Sequence, residues 1–97
     1  MAIKFDYNQI MNQAKLLDEL ANDMQNQCRK KMSEMYENIE AAWTGNAASA
    51  YKKHVSGVRD DLLKKAKYIR DTAEFLRSAA KKMKAADEAA KAAAQNI

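Results

Sequence analysis

The chain has no proline, only two glycines, one cysteine, and aromatics at just 7% of its 97 residues. Each shortage excludes something. Strand-rich folds need turn residues at short intervals, and this chain has almost none. A single thiol, Cys28, forms no intramolecular disulfide, so no disulfide framework holds the fold. No stretch approaches the roughly 18 apolar residues of a membrane span. The N-terminus has no apolar run of signal-peptide length. The expected location is therefore the cytoplasm, or outside the cell by a route that needs no N-terminal signal.

What remains is rich in Ala, Glu, Lys, Leu and Arg, with 19 alanines and 31% charged residues. That is the composition of a long-helix or coiled-coil protein. The length fits one small domain. A chain this short buries only about two-thirds of its unfolded surface, so a thin helical fold is marginal alone and oligomerisation is expected. The net charge is +4 and unevenly placed. Residues 1–45 balance to −2 and residues 46–97 to +6. The two halves would attract each other in a hairpin. The basic half could also meet an acidic partner, a phosphate polymer or an anionic membrane surface.

The spacing predicts an all-α antiparallel hairpin. Asp6 is the expected N-cap, with Gln9 completing a capping box and Phe5 and Ile10 placed to form a hydrophobic staple. Apolar positions then run Tyr7, Ile10, Ala14, Leu17, Ala21, Met24, Cys28, Met32, Met35, Ile39, Ala42, in steps of three or four. A second series runs Tyr51, Val55, Val58, Leu62, Ala66, Ile69, Ala73, Leu76, Ala80, Met83. One domain over 1–97 is expected: helix one about 7–42, a turn at 43–46, helix two about 47–84, and an alanine-rich tail 85–97 that frays or orders on a partner. Gly45 supplies positive φ at the turn, and Asn46 or Thr44 is placed to cap the second helix. Gly57 interrupts helix two, where close approach of another helix would explain it. Met11, Leu16, Leu20, Leu63, Tyr68 and Phe75 lie outside both series and would be exposed on a lone hairpin. Packing two hairpins into a four-helix bundle would cover them.

A search for chemistry finds no catalytic constellation, metal site or cofactor site. His54, the sole histidine, has no metal-ligand spacing around it and reads as a surface residue. Cys28 falls on the apolar series and reads as a small buried hydrophobe. There is no glycine-rich phosphate loop, and two amphipathic helices make a poor concave pocket. An enzyme is not expected. The basic runs Arg29-Lys30-Lys31, Lys64-Lys65-Ala66-Lys67 and Lys81-Lys82-Met83-Lys84 wrap around a helix, since successive residues turn about 100°. Nucleic-acid binding is disfavoured because no stacking platform or groove-reading element accompanies the charge. An anionic membrane surface stays open as an alternative.

Trp43-Thr44-Gly45 stands mid-chain between two long amphipathic helices, in a chain of about one hundred residues with no signal peptide. In this the chain resembles the WXG100 family of ESAT-like small secreted proteins. The resemblance implies a helical hairpin dimerised into a four-helix bundle. It also implies export, folded, as a homodimer or a heterodimer with another small helical protein, by a type VII (ESX or Ess) system with an FtsK/SpoIIIE-like ATPase. Trp43 and Gly45 match the family turn, which in the family joins an export signal completed by the partner's C-terminal tail. The actinobacterial tail motif is absent, since Thr72 stands four residues after Tyr68. Met83, Asp87, Ala90 and Ala94 fit the spacing of the related Gram-positive tail; the alternative is that the apolar series has simply ended there. Many members are acidic, whereas this chain is basic. That departure implies an acidic heterodimer partner, the helical domain of a larger LXG-type toxin being one such arrangement, or a different homodimer surface. Three functions remain: a secreted effector or co-secreted partner, a targeting chaperone for such a toxin, and a basic helical binder of nucleic acid or membrane.

Overall fold

The computed structural model describes residues 4–96. Two arms pack antiparallel into a rod 79 × 22 × 17 Å. The first arm comprises α1 (Tyr7–Gln27), a π-helical segment (Cys28–Met32) and α2 (Ser33–Ala42). The second is one helix, α3 (Asn46–Gln95). Asp6 caps α1: its carboxylate accepts from the Gln9 backbone N–H at 3.0 Å. Phe5 and Ile10 are both half-buried, as a staple requires.

The core is a ladder of small residues. The buried side chains are Ala14, Ala21 and Cys28 in the first arm, and Ala48, Ala66, Ala73 and Ala80 in α3. Six of them repeat every seventh residue, three per arm. Cross-arm contacts fix the register: Arg77 pairs with Asp18, and Arg70 donates to Gln25 and, at 2.7 Å, to Asn22. That register sets Ala80, Ala73 and Ala66 level with Ala14, Ala21 and Cys28. Small side chains at the contact bring the helix axes close, toward the short end of the usual 8–10 Å.

Each small-residue line is flanked differently on its two sides. On one side run Asp18, Gln25, Arg70 and Arg77, a polar edge bridged by these cross-arm bonds. The Asp18 hydrogen bond raises the Arg77 guanidinium above its already high ordinary pKa, so it stays charged at any working pH. Met11 and Leu63 lie under this edge and are half-buried, not exposed as their place outside the series predicts. On the other side run Ile10, Leu17 and Met24 from α1, and Leu62, Ile69, Leu76 and Met83 from α3. This apolar edge continues outward to Leu16 and Leu20 on α1 and to Tyr68 and Phe75 on α3, the last two 73% and 70% exposed.

The π segment has a register cause. In α3 the apolar line advances by sevens: Val55, Leu62, Ile69, Leu76, Met83. In the first arm it advances by sevens to Met24 and then by eight, to Met32, before resuming at Ile39. One extra residue would rotate everything beyond it by about 100°. The wider π turn absorbs that residue, and Met32, Tyr36 and Ile39 return to the interface half-buried.

Helix α3 runs past Lys84 to Gln95, because alanine sustains a helix without tertiary contacts. Lys84 sits 4.5 Å from the Tyr7 ring at the start of α1. Beyond that level α3 has no partner arm, and residues 81–96 are all exposed.

Gly57 corrects one expectation. A Cβ built there meets nothing within 4 Å, so no helix approaches it closely. Gly57→Ala is expected to stabilise the fold by about 1 kcal/mol, read as a higher midpoint in urea unfolding.

Candidate functional site

The turn is built by three residues. Helix α2 ends at Ala42, and Trp43 swings to an extended conformation, φ −150° and ψ 126°, while its N–H still donates to the Ile39 carbonyl at 2.9 Å. Gly45 has φ +111° and ψ −179°, a region open essentially only to glycine. Space is not the constraint, since a Cβ there would meet nothing within 4 Å. The backbone conformation itself demands glycine, at a cost of about 1–3 kcal/mol for other residues. Gly45 is also the N-cap of α3, its carbonyl accepting from Ser49 N–H at 3.0 Å. No side chain caps this helix, so neither Thr44 nor Asn46 takes the role their residue types suggest.

Trp43 is anchored but open. Its ring lies 5.1 Å from that of Tyr51, centre to centre, tilted by 35°. It remains 43% exposed, and Tyr51 60%. Two aromatic rings thus cover the tip of the rod with one face free, an amphipathic contact surface.

Met83, Asp87, Ala90 and Ala94 form a stripe on the far end of α3, and all are exposed. Asp87 lies seven residues after Ala80, on the line of the buried alanines. The register places it level with Tyr7, where the first arm begins. A carboxylate is tolerated on this line because no further turn of the first arm packs against it. Gly45 and Asp87 are about 63 Å apart along α3. The structure therefore separates the turn from the tail stripe, and one chain cannot join them into one surface.

Cys28 is buried at 5% exposure and lies level with Ala66. His54 is exposed, a dozen residues away along α3, or roughly 18 Å. The two do not meet. Among the described residues no three His, Cys, Asp or Glu side chains gather as a metal site, and no helix is long and apolar enough to cross a membrane.

The fold does bring together two basic runs far apart in sequence. Arg29-Lys30-Lys31 on the π segment and Lys64-Lys65-Lys67 on α3 lie at one level and girdle the middle of the rod. Next to them is an open groove of about 390 Å³, lined by Met24, Gln27, Cys28, Lys31, Met32, Met35 and Leu62. Sequence spacing alone did not point to this groove, because it depends on the register between the arms.

No curated protein and no solved structure matched the chain. Residues 2–88 match the family described as WXG100, proteins of 100 residues with WXG. That span includes both arms of the hairpin and the Trp43-Thr44-Gly45 turn. With its hairpin architecture and nearly its whole length matched, the chain belongs to the WXG100 family.

Proposed function

We propose that this chain is exported through a type VII secretion system and acts by packing against other helical chains, not by catalysis. The family is one of small secreted proteins of such systems, whose members typically pair with small helical partners. The observation that carries the reading is the separation of the two candidate signal elements. Trp43 and Gly45 form one tip, and the Met83-Asp87-Ala90-Ala94 stripe lies near the other. A second hairpin packed antiparallel on the apolar edge sets its own overhanging helix end beside this turn. The export signal is then a property of the pair, and only paired, folded chains present it to the FtsK/SpoIIIE-like ATPase.

The pairing itself has a physical motive. Leu16, Leu20, Tyr68 and Phe75 are left in water by the lone rod. Burying such side chains contributes about 1.5–3 kcal/mol each. Once exported, its role is that of a secreted effector or a co-secreted partner; the alternative role, before export, is that of a partner or targeting chaperone of a larger LXG-type toxin.

The test is secretion from cells that carry the apparatus. Trp43→Ala and Asp87→Ala each change an exposed side chain, so helical content should hold in circular dichroism. The extracellular fraction should fall at least tenfold for each, about 1.4 kcal/mol if it reflects recognition. Unchanged export of both variants would overturn the assignment of the signal.

A further inference from the structure

We infer that the methionine groove at the middle of the rod binds one cuprous ion, Cu(I), held by the Cys28 thiolate and the Met24 and Met32 thioethers. The site is separate from the turn and from the tail stripe, and it does not depend on their roles.

The chain has six methionines and one cysteine. Met24, Met32 and Met35 line a single open groove together with that cysteine. Met24 stands four residues before Cys28 and Met32 four residues after it, each within about 6 Å along the axis. Steps of four drift about 40° round an α-helix. The π segment widens the turn between Cys28 and Met32, and so brings Met32 back to the side of Cys28 that carries Met24. Both methionines are half-buried. Cys28 is free and only 5% exposed. Among the described residues its thiol has no hydrogen-bond partner. The groove thus offers a buried, uncommitted thiol with a flexible thioether on either side.

The donor set selects the metal. No carboxylate or imidazole lines the groove. Thioethers are neutral, soft donors that suit Cu(I), whereas Mg(II) and Ca(II) need oxygen ligands. Charge points the same way. One thiolate cancels one positive charge, so bound Cu(I) forms a neutral centre, which an apolar groove tolerates. A divalent ion would leave one positive charge uncompensated there, beside Lys31. A closed-shell ion also makes no geometric demand through its d electrons, so the methionine side chains can close on it. Met35 is 50% exposed, the most open of the four sulfur side chains, and covers the ion from solvent. On binding, the S–H bond breaks, the proton goes to solvent and an S–Cu bond forms. The copper stays Cu(I), and no electron is transferred.

The test is an anaerobic titration of the full chain against the coloured Cu(I)–bicinchoninate complex. The wild type should withdraw one ion per chain, less tightly as pH falls, because the proton competes for the thiolate. Cys28→Ala continues the alanine ladder, so its circular dichroism should stay native, while Cu(I) affinity should fall roughly a hundredfold or more. Met24→Leu/Met32→Leu keeps both the side-chain volume and the thiol, and should bind at least about tenfold more weakly. X-ray absorption of the loaded wild type should show sulfur alone around copper. Failure of the folded wild type to withdraw copper would overturn the site. Full affinity in the double methionine variant would overturn it as well, leaving the methionines as packing around a reactive thiol. Zn(II) held as tightly as Cu(I) would overturn the choice of metal.

Discussion

Deleting Lys30 should leave the hairpin folded, whereas deleting Tyr68 should unfold it. Both residues are exposed, so neither deletion removes a core contact directly. The difference is phase. The first arm holds one residue more than a heptad repeat allows, and the π segment Cys28–Met32 carries it. Removing Lys30 makes the apolar line seven-spaced throughout, so an ordinary α-helix serves and the poorer π hydrogen bonding disappears. Helical content should hold, with an unfolding midpoint equal to or above wild type. In α3 there is no such surplus. Removing Tyr68 rotates one half of the helix by about 100° against the other. Either Leu62 and Ala66, or Ala73, Leu76 and Ala80, then leave the interface. Either half loses a leucine contact of about 1.5–3 kcal/mol and one or two alanine contacts of about 0.8 kcal/mol each, a large share of the roughly 5–15 kcal/mol that holds a small domain together. Circular dichroism melts of the two deletions decide it. A cooperative, native-like melt for Tyr68 deletion would mean that the seven-residue register does not hold the fold.

The same register separates what is legible in the sequence from what is not. The hairpin is legible because the apolar steps of three and four, the Asp6 cap and the Trp43-Thr44-Gly45 break are all local signals. The extra residue is present as two successive steps of four, Met24 to Cys28 to Met32. Such a pair also fits an unbroken α-helix, and only the fixed pairing with α3 makes it a surplus. The juxtaposition of the two basic runs at mid-rod and the burial of Met11 and Leu63 depend on that pairing too. The cap of α3 departs from expectation for a different reason. Thr44 and Asn46 have capping side chains, but Gly45 occupies the cap position because its φ of +111° reverses the chain there. Gly57 departs because a glycine in a helix suggests close packing, and here it faces open space.

The second large effect concerns the alanine ladder. Ala73→Leu is expected to destabilise the fold by about 1–3 kcal/mol or more, although leucine is a good helix former and more hydrophobic than alanine. Ala73 is fully buried, level with the equally buried Ala21, between the two arms. Three added carbons there cannot turn aside, because Ile69 and Leu76 occupy one side and Arg70 and Arg77 the other. The helices must move apart, and the neighbouring rungs at Ala66 and Ala80 lose contact with Cys28 and Ala14. The polar edge suffers with them, since Arg70 and Arg77 reach across to Asn22, Gln25 and Asp18 only at the present spacing. The control is Phe75→Leu, two residues away and 70% exposed. It changes an outer side chain and should alter the urea midpoint of the isolated chain little, within about 0.5 kcal/mol. If Ala73→Leu proved neutral or stabilising, the arms would be loosely packed, and the close spacing of the helices would not be what selects small residues at every seventh position.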